Sequence, residues 1–152
     1  MRLIDSHSHL FLEEFAEDLP QVMARAREAG VTHIFMPNID STTIGPMLRV
    51  CREYKGYCYP MIGLHPTSVG ADYEKELEIV ARELASPNEF VAVGEIGMDL
   101  YWDKTFLPQQ QEVFEHQYKA LHILQRYLVH RFLLLFLHEL LYIICCTFLL
   151  FL

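Results

Sequence analysis

The feature that most constrains this chain is a fourfold alternation of short apolar runs with amphipathic ones, each closed by turn residues. Residues 2–10 read as a short buried strand. Asp18 then serves as a helix N-cap with Pro20 in the first turn, and Leu19, Val22, Met23, Ala26 and Ala29 fall at helical spacing before Gly30 stops the run. Residues 31–36 form a second apolar run. Ser41 or Thr42 caps a second helix whose inner face is Ile44, Met47, Leu48 and Cys51. A third strand covers 57–64, and a third helix 73–84 turns Leu77, Val80, Ala81 and Leu84 inward. A fourth strand covers 89–96, and Pro108 opens a fourth helix through Val113, Phe114, Tyr118 and Leu121. Successive β-then-α units predict an α/β fold with a parallel sheet and right-handed crossovers. Strands with little alternation predict that both faces of the sheet are covered.

In such sheets ligand sites lie beyond the carboxyl ends of the strands. There the chain carries its unusual polar residues: His7 and His9 after the first strand, Asn38 and Asp40 after the second, His65 after the third, Glu95 and Asp99 after the fourth. An isolated His-x-His is ordinarily two solvated histidines, but four strand ends collecting such residues is a pattern. On a strand, alternate side chains share a face, so Asp5, His7 and His9 point together, with the imidazoles about 7 Å apart along the chain. Two neutral imidazoles and a carboxylate form an ordinary ligand set for a divalent cation, which lowers the pKa of its bound water toward neutrality. Glu95 suits a carboxylate shared between two ions. Asp5 suits the orientation of a ligating histidine, and His65 suits contact with an anionic substrate. Gly94 and Gly97 suggest close backbone approach around Glu95.

The balance of 12 basic to 20 acidic residues, net −8, gives no basic footprint for a simple nucleic-acid-binding module. An enzyme on phosphodiesters is still compatible, because bound cations invert the local charge. Cys51, Cys58, Cys145 and Cys146 form no Cys-x-x-Cys pair and no disulfide framework, and no signal peptide is evident at residue 1. The expected setting is a reducing, cytoplasmic one.

Three ordered motifs carry a resemblance: Asp5-Ser6-His7-Ser8-His9-Leu10, Ile62-Gly63-Leu64-His65-Pro66 and Val93-Gly94-Glu95-Ile96-Gly97-Met98-Asp99. With Trp102-Asp103-Lys104 and the Pro108, Gln110, Gln111, Phe114, Gln117 series, residues 1 to about 117 resemble the TatD family of metal-dependent hydrolases. The resemblance implies a (β/α)₈ barrel and a centre of two divalent metal ions, for which Mg or Zn would serve. It implies hydrolysis of DNA phosphodiesters by a metal-activated water, with DNA a substrate and not a stable partner; no protein partner is evident. By position, His7 and His9 would be ligands of one metal and Glu95 a bridging ligand, with His65 and Asp99 further active-site residues and Asp5 in support. The alternatives are a non-catalytic half-barrel, or a hydrolase of the wider amidohydrolase type acting on amides, since His-x-His is shared across that group.

After Gln117 the sequence departs from the pattern. The family's later ligands, two histidines and an aspartate at further strand ends, have no counterpart. Residues 118–152 hold 12 Leu and 4 Phe but no Gly, Pro, Ser, Asn or Asp, so no turn separates a helix from a next strand. His116, His122, His130 and His138 lie outside any strand-end context. The expected organisation is therefore a partial barrel over 1–117 and an apolar helical tail over 118–152. The tail reads as a membrane helix over 132–152, as a buried or oligomerising helix, or as the product of a shifted frame or truncation, which is favoured. A (β/α)₈ barrel needs about 250 residues, so the chain would hold half of one, with exposed edges and three metal ligands.

Overall fold

A computed structural model of the chain describes residues 2–85, 89–102 and 104–132, with side chains through residue 120. The chain divides into two units, Met1–Gln117 and Tyr118–Leu152. The first is an open half-barrel of four parallel strands in sequential order: β1 (Leu3–Asp5), β2 (Val31–Pro37), β3 (Cys58–Ile62) and β4 (Ala92–Val93). Helices α1 (Leu19–Glu28), α2 (Ser41–Glu53) and α3 (Tyr73–Ala85) fill the crossovers, and α4 (Leu107–Phe132) follows β4.

The interior strands follow the expected pattern and the edges do not. In β3 every residue but Tyr59 is buried, because sheet neighbours and helices cover it on all sides. β1 is an edge with Ile4 half exposed, and β4 is an edge with Val91 exposed, so the expectation of two covered faces fails there. The predicted run 89–96 shrinks to two strand residues. With β3 as its one partner, β4 pairs only through Met61↔Ala92 and Ile62↔Val93, extended by the Val91 and Gly94 amides. β1 likewise ends at Asp5, so His7 and His9 lie on the loop beyond it.

Two of the expected caps are corrected. Asp18 precedes α1 but makes no capping bond; its carboxylate pairs with Arg25. α2 is capped by Asp40, which accepts from the Thr42 and Thr43 amides while Thr43 reciprocates, so Ser41 and Thr42 lie inside the helix. Ser41 instead donates twice to Glu76, which ties α3 to the start of α2. The inner face of α2 is as predicted, whereas Ala29 and Ala81 are exposed. The main core joins Met23 of α1, Ile34 and Met36 of β2, and Met47 and Cys51 of α2.

The α4 helix begins at Leu107, with Pro108 in its first turn, and continues through the expected break to Phe132. Among the described residues no helix is long and apolar enough to cross a membrane. The membrane-helix reading of 132–152, and with it His138, Cys145 and Cys146, falls outside the described residues apart from Phe132.

Candidate metal centre

Three strand ends supply the site. His7 and His9 follow β1, His65 follows β3 and Glu95 follows β4. Three buried amides hold this end of the sheet, and none was singled out for that role from sequence. Asn38, fully buried, accepts from the Gly63 amide at 2.7 Å and donates to the Asp40 carbonyl at 3.0 Å. Gln117 brackets Leu64, accepting from its N–H at 2.6 Å and donating to its carbonyl at 3.2 Å. Gln110 accepts from the Asp99 amide at 2.8 Å. Polar side chains on an otherwise apolar helix face were the available signal, since a buried amide must be satisfied by something fixed. Close packing does the rest. A Cβ on Gly63 would stand 2.9 Å from Ile96 Cγ2 and 3.2 Å from the Glu95 carbonyl, so only glycine lets the two strand ends approach. Around Glu95 the expectation is thus met by Gly63 more than by its own neighbours. Gly97 has open space about it and serves through its backbone angle, φ +156°.

Within this frame, His7 Nε2 lies 3.0 Å from His9 Nε2 and 3.0 Å from Glu95 Oε2, and His9 Nε2 lies 3.8 Å from the same oxygen. Ligands about 2.1 Å from one ion are spaced by about 3.0–3.4 Å; two sides of the triangle match that spacing and the third, at 3.8 Å, is wider. His9 Nδ1 lies 3.0 Å from the Pro37 carbonyl, which can only accept. The proton of a neutral His9 is therefore on Nδ1, and the Nε2 lone pair faces the cluster. The Pro37 carbonyl thus does the orienting expected of Asp5, whose carboxylate accepts from the His7 backbone N–H at 3.1 Å. His65 is arranged oppositely. Its Nδ1 accepts from the Thr67 amide at 3.1 Å, leaving the Nε2 proton to donate to Glu95 Oε1 at 3.2 Å. Glu95 thus offers one oxygen to the histidine pair and the other to His65.

The electrostatics follow the geometry. Burial raises the Glu95 pKa, but the hydrogen bonds from His65 and His7 outweigh it and hold the carboxyl well below its usual range. The hydrogen bond to Glu95 raises His7, against a smaller effect of burial. Burial lowers His9, aided by the charge of His7. Among the described residues, His7, His9 and Glu95 form a three-residue group able to hold a metal ion.

The remaining candidates lie outside the cluster. Asn38 and Asp40 are scaffold. Asp99 accepts through Oδ1 from the amides of Tyr101 and Trp102, which shapes the loop after β4.

A His/Glu group able to hold a metal ion, at the carboxyl end of a parallel half-barrel, is the ground on which the comparisons with known proteins stand. A family model described as TatD related DNase matches residues 4–130. The chain belongs to that family. It is 36% identical over 115 residues to the uncharacterized metal-dependent hydrolase YabD of Bacillus subtilis (strain 168), covering 76% of this chain and 44% of the relative. It is 32% identical over 115 residues to the 3'-5' ssDNA/RNA exonuclease TatD of Pantoea sp. (strain At-9b), again covering 76% and 44%. The crystal structure of YJJV, a TATD homolog from Escherichia coli K12, matches with a TM-score of 0.67 at 33% identity, covering 78% of this chain and 46% of that one. The chain spans less than half the length of these relatives.

Proposed function

We propose that this chain carries part of the active site of a divalent-metal-dependent hydrolase that cleaves phosphodiester bonds in nucleic acid. The observation that carries the reading is the convergence of two imidazole nitrogens and a carboxylate oxygen within 3.0–3.8 Å. His7, His9 and Glu95 would hold the ion, and a set of two imidazoles and one carboxylate favours zinc over magnesium. When bound, such an ion supplies a Lewis acid and a water acidic enough to act as nucleophile near neutral pH. The Pro37 carbonyl keeps His9 in its ligating tautomer, and the depressed pKa of Glu95 keeps its carboxylate charged. The His65 Nε2 proton, fixed by the Thr67 amide at Nδ1, donates to Glu95 Oε1 and holds that carboxylate in place. Asp99 acts by shaping its loop, and Asp5 by fixing the His7 backbone. A second ion would share the Glu95 carboxylate.

The names of the relatives support single-stranded DNA or RNA as substrate over an amide. Free, buried Cys51 and Cys58, with thiol pKa values pushed up to about 12 by burial, support a reducing, cytoplasmic setting. In the same reading 118–152 is an apolar addition from a shifted frame or truncation, supported by the division at Gln117. The family match reaches residue 130, so it overlaps the addition from the codon for Tyr118 onward. Sequencing the coding DNA across and beyond that codon tests it: a family-like continuation in another frame is expected, and its absence from all frames would refute it.

The test of function is hydrolysis of labelled single-stranded DNA by the purified chain loaded with zinc or magnesium. Turnover abolished by chelator and by Glu95→Gln is expected. Metal binding without turnover would instead establish the second reading, a non-catalytic half-barrel, which the partial coverage of the relatives supports.

A further inference from the structure

The loop after β4 holds its largest apolar side chains out in water. Met98 and Leu100 are 41% and 54% exposed, Tyr101 and Trp102 82% and 78%. The loop is built and not merely frayed. Asp99 Oδ1 accepts from the Tyr101 amide at 2.7 Å and the Trp102 amide at 3.2 Å, and the Asp99 amide donates to buried Gln110 on α4. The two rings meet edge to face, with centroids 4.9 Å apart at 90°, which forms an apolar corner. Trp102 lies seven residues beyond Glu95, and the corner belongs to the same strand end as the metal cluster.

We propose that Tyr101 and Trp102 are a stacking platform for an unpaired nucleobase of a single-stranded nucleic acid whose backbone enters the metal centre. The proposal rests on the phosphodiesterase reading of that centre. A flat base can lie on one ring with its edge against the other, but only if no partner strand and no second stacked base occupies that space, which selects single strands. Charge points the same way. With a net charge of −8 the chain has little with which to neutralise a run of phosphates, so contacts to bases must supply affinity that cations supply elsewhere. Stacking on aromatic faces is also tolerant of sequence, as an enzyme consuming varied strands requires.

Trp102 is the only tryptophan of the chain, so its emission reports directly on the platform. The zinc-loaded chain is titrated with oligothymidylate carrying hydrolysis-resistant phosphorothioate linkages, and with an abasic strand of the same length and linkage. The account expects emission typical of water-exposed indole, quenched by the thymidylate and not by the abasic strand. With binding read for the variants from the anisotropy of dye-labelled strands, Trp102→Ala should weaken thymidylate binding about tenfold and leave the abasic strand unaffected, with Tyr101→Ala acting in the same direction and Trp102→Phe restoring affinity. Zinc affinity, unchanged in all three, checks that they fold. Equal binding of the two strands, or alanine variants indistinguishable from the parent, would overturn the platform while leaving chelator-sensitive hydrolysis to support the phosphodiesterase. Emission typical of buried indole, indifferent to both strands, would also overturn it, by marking the rings as an internal surface. Absence of both binding and hydrolysis would remove the two readings together.

Discussion

The end of β2 and the ends of β1, β3 and β4 look alike in sequence and differ in what they do. Each carries polar residues of the kind that ligate metals or move protons. At β2, Asn38 and Asp40 turn back on the backbone: one bridges Gly63 to the Asp40 carbonyl, the other caps α2. At the other three ends His9 and His65 keep one ring nitrogen on the backbone, and their second nitrogens, with His7, close on Glu95. The difference teaches how a site is separated from its frame. Residues whose hydrogen bonds are met by main chain hold the loops, and residues whose free lone pairs face each other are available to a ligand. The frame is also the more deeply buried, Asn38 wholly so, while the Glu95 and His9 side chains remain about a quarter exposed.

Substitutions should split along that line. The largest effect is expected from His9→Ala or Glu95→Ala, each lowering metal affinity by at least about 100-fold with thermal stability of the metal-free chain little changed. A calorimetric titration with zinc checks both, and an equal loss from Asp40→Ala would erase the distinction. Asn38→Ala should do the reverse. It leaves the Gly63 N–H and the Asp40 carbonyl without their partner in the interior, at about 2–3 kcal/mol, read as a lower urea midpoint.

The pH response sharpens the comparison, because the cluster contains histidines and the end of β2 does not. Hydrogen bonding to Glu95 raises His7, so the metal-free site holds a proton there to a pH above 6.5, and a cation must displace it. Metal affinity is therefore level above the raised pKa of His7 and falls below it by about tenfold per unit, roughly 1.4 kcal/mol. His9, lowered by burial, takes up its proton at a lower pH than His7, and Glu95 stays charged. The same hydrogen bond stabilises the metal-free fold below the ordinary histidine pKa, and that contribution is lost as pH rises through the raised one. An affinity independent of pH between 5 and 8 would contradict the assignment of His7 as ligand. The smallest effect belongs to Asp40→Ala, about 1 kcal/mol from the lost cap, with zinc affinity unaltered.

Much of this was legible in the residues. The βα alternation, the parallel order and the inner face of α2 follow from spacing alone, and the strand-end positions of His7, His9, His65 and Glu95 mark the cluster. What sequence could not separate was Asn38 and Asp40 from the rest, because an Asn or Asp after a strand is equally a cap, a strut or a ligand. The choice depends on which backbone group lies within 3 Å. The roles of Gln110 and Gln117 were hidden for a like reason: their partners, Asp99 and Leu64, are 11 and 53 residues away. The short β4 was unreadable because an apolar run does not reveal how many neighbours will pair with it.

The most direct test of the central claim, that His7 and His9 after β1 and Glu95 after β4 converge to hold one divalent cation, is a zinc titration of the purified chain with a competing chelator of known affinity. The account predicts one equivalent bound per chain, lost in His7→Ala, His9→Ala and Glu95→Ala and retained in Asp40→Ala. Absence of tight zinc binding, or binding that survives all three cluster substitutions, would contradict it.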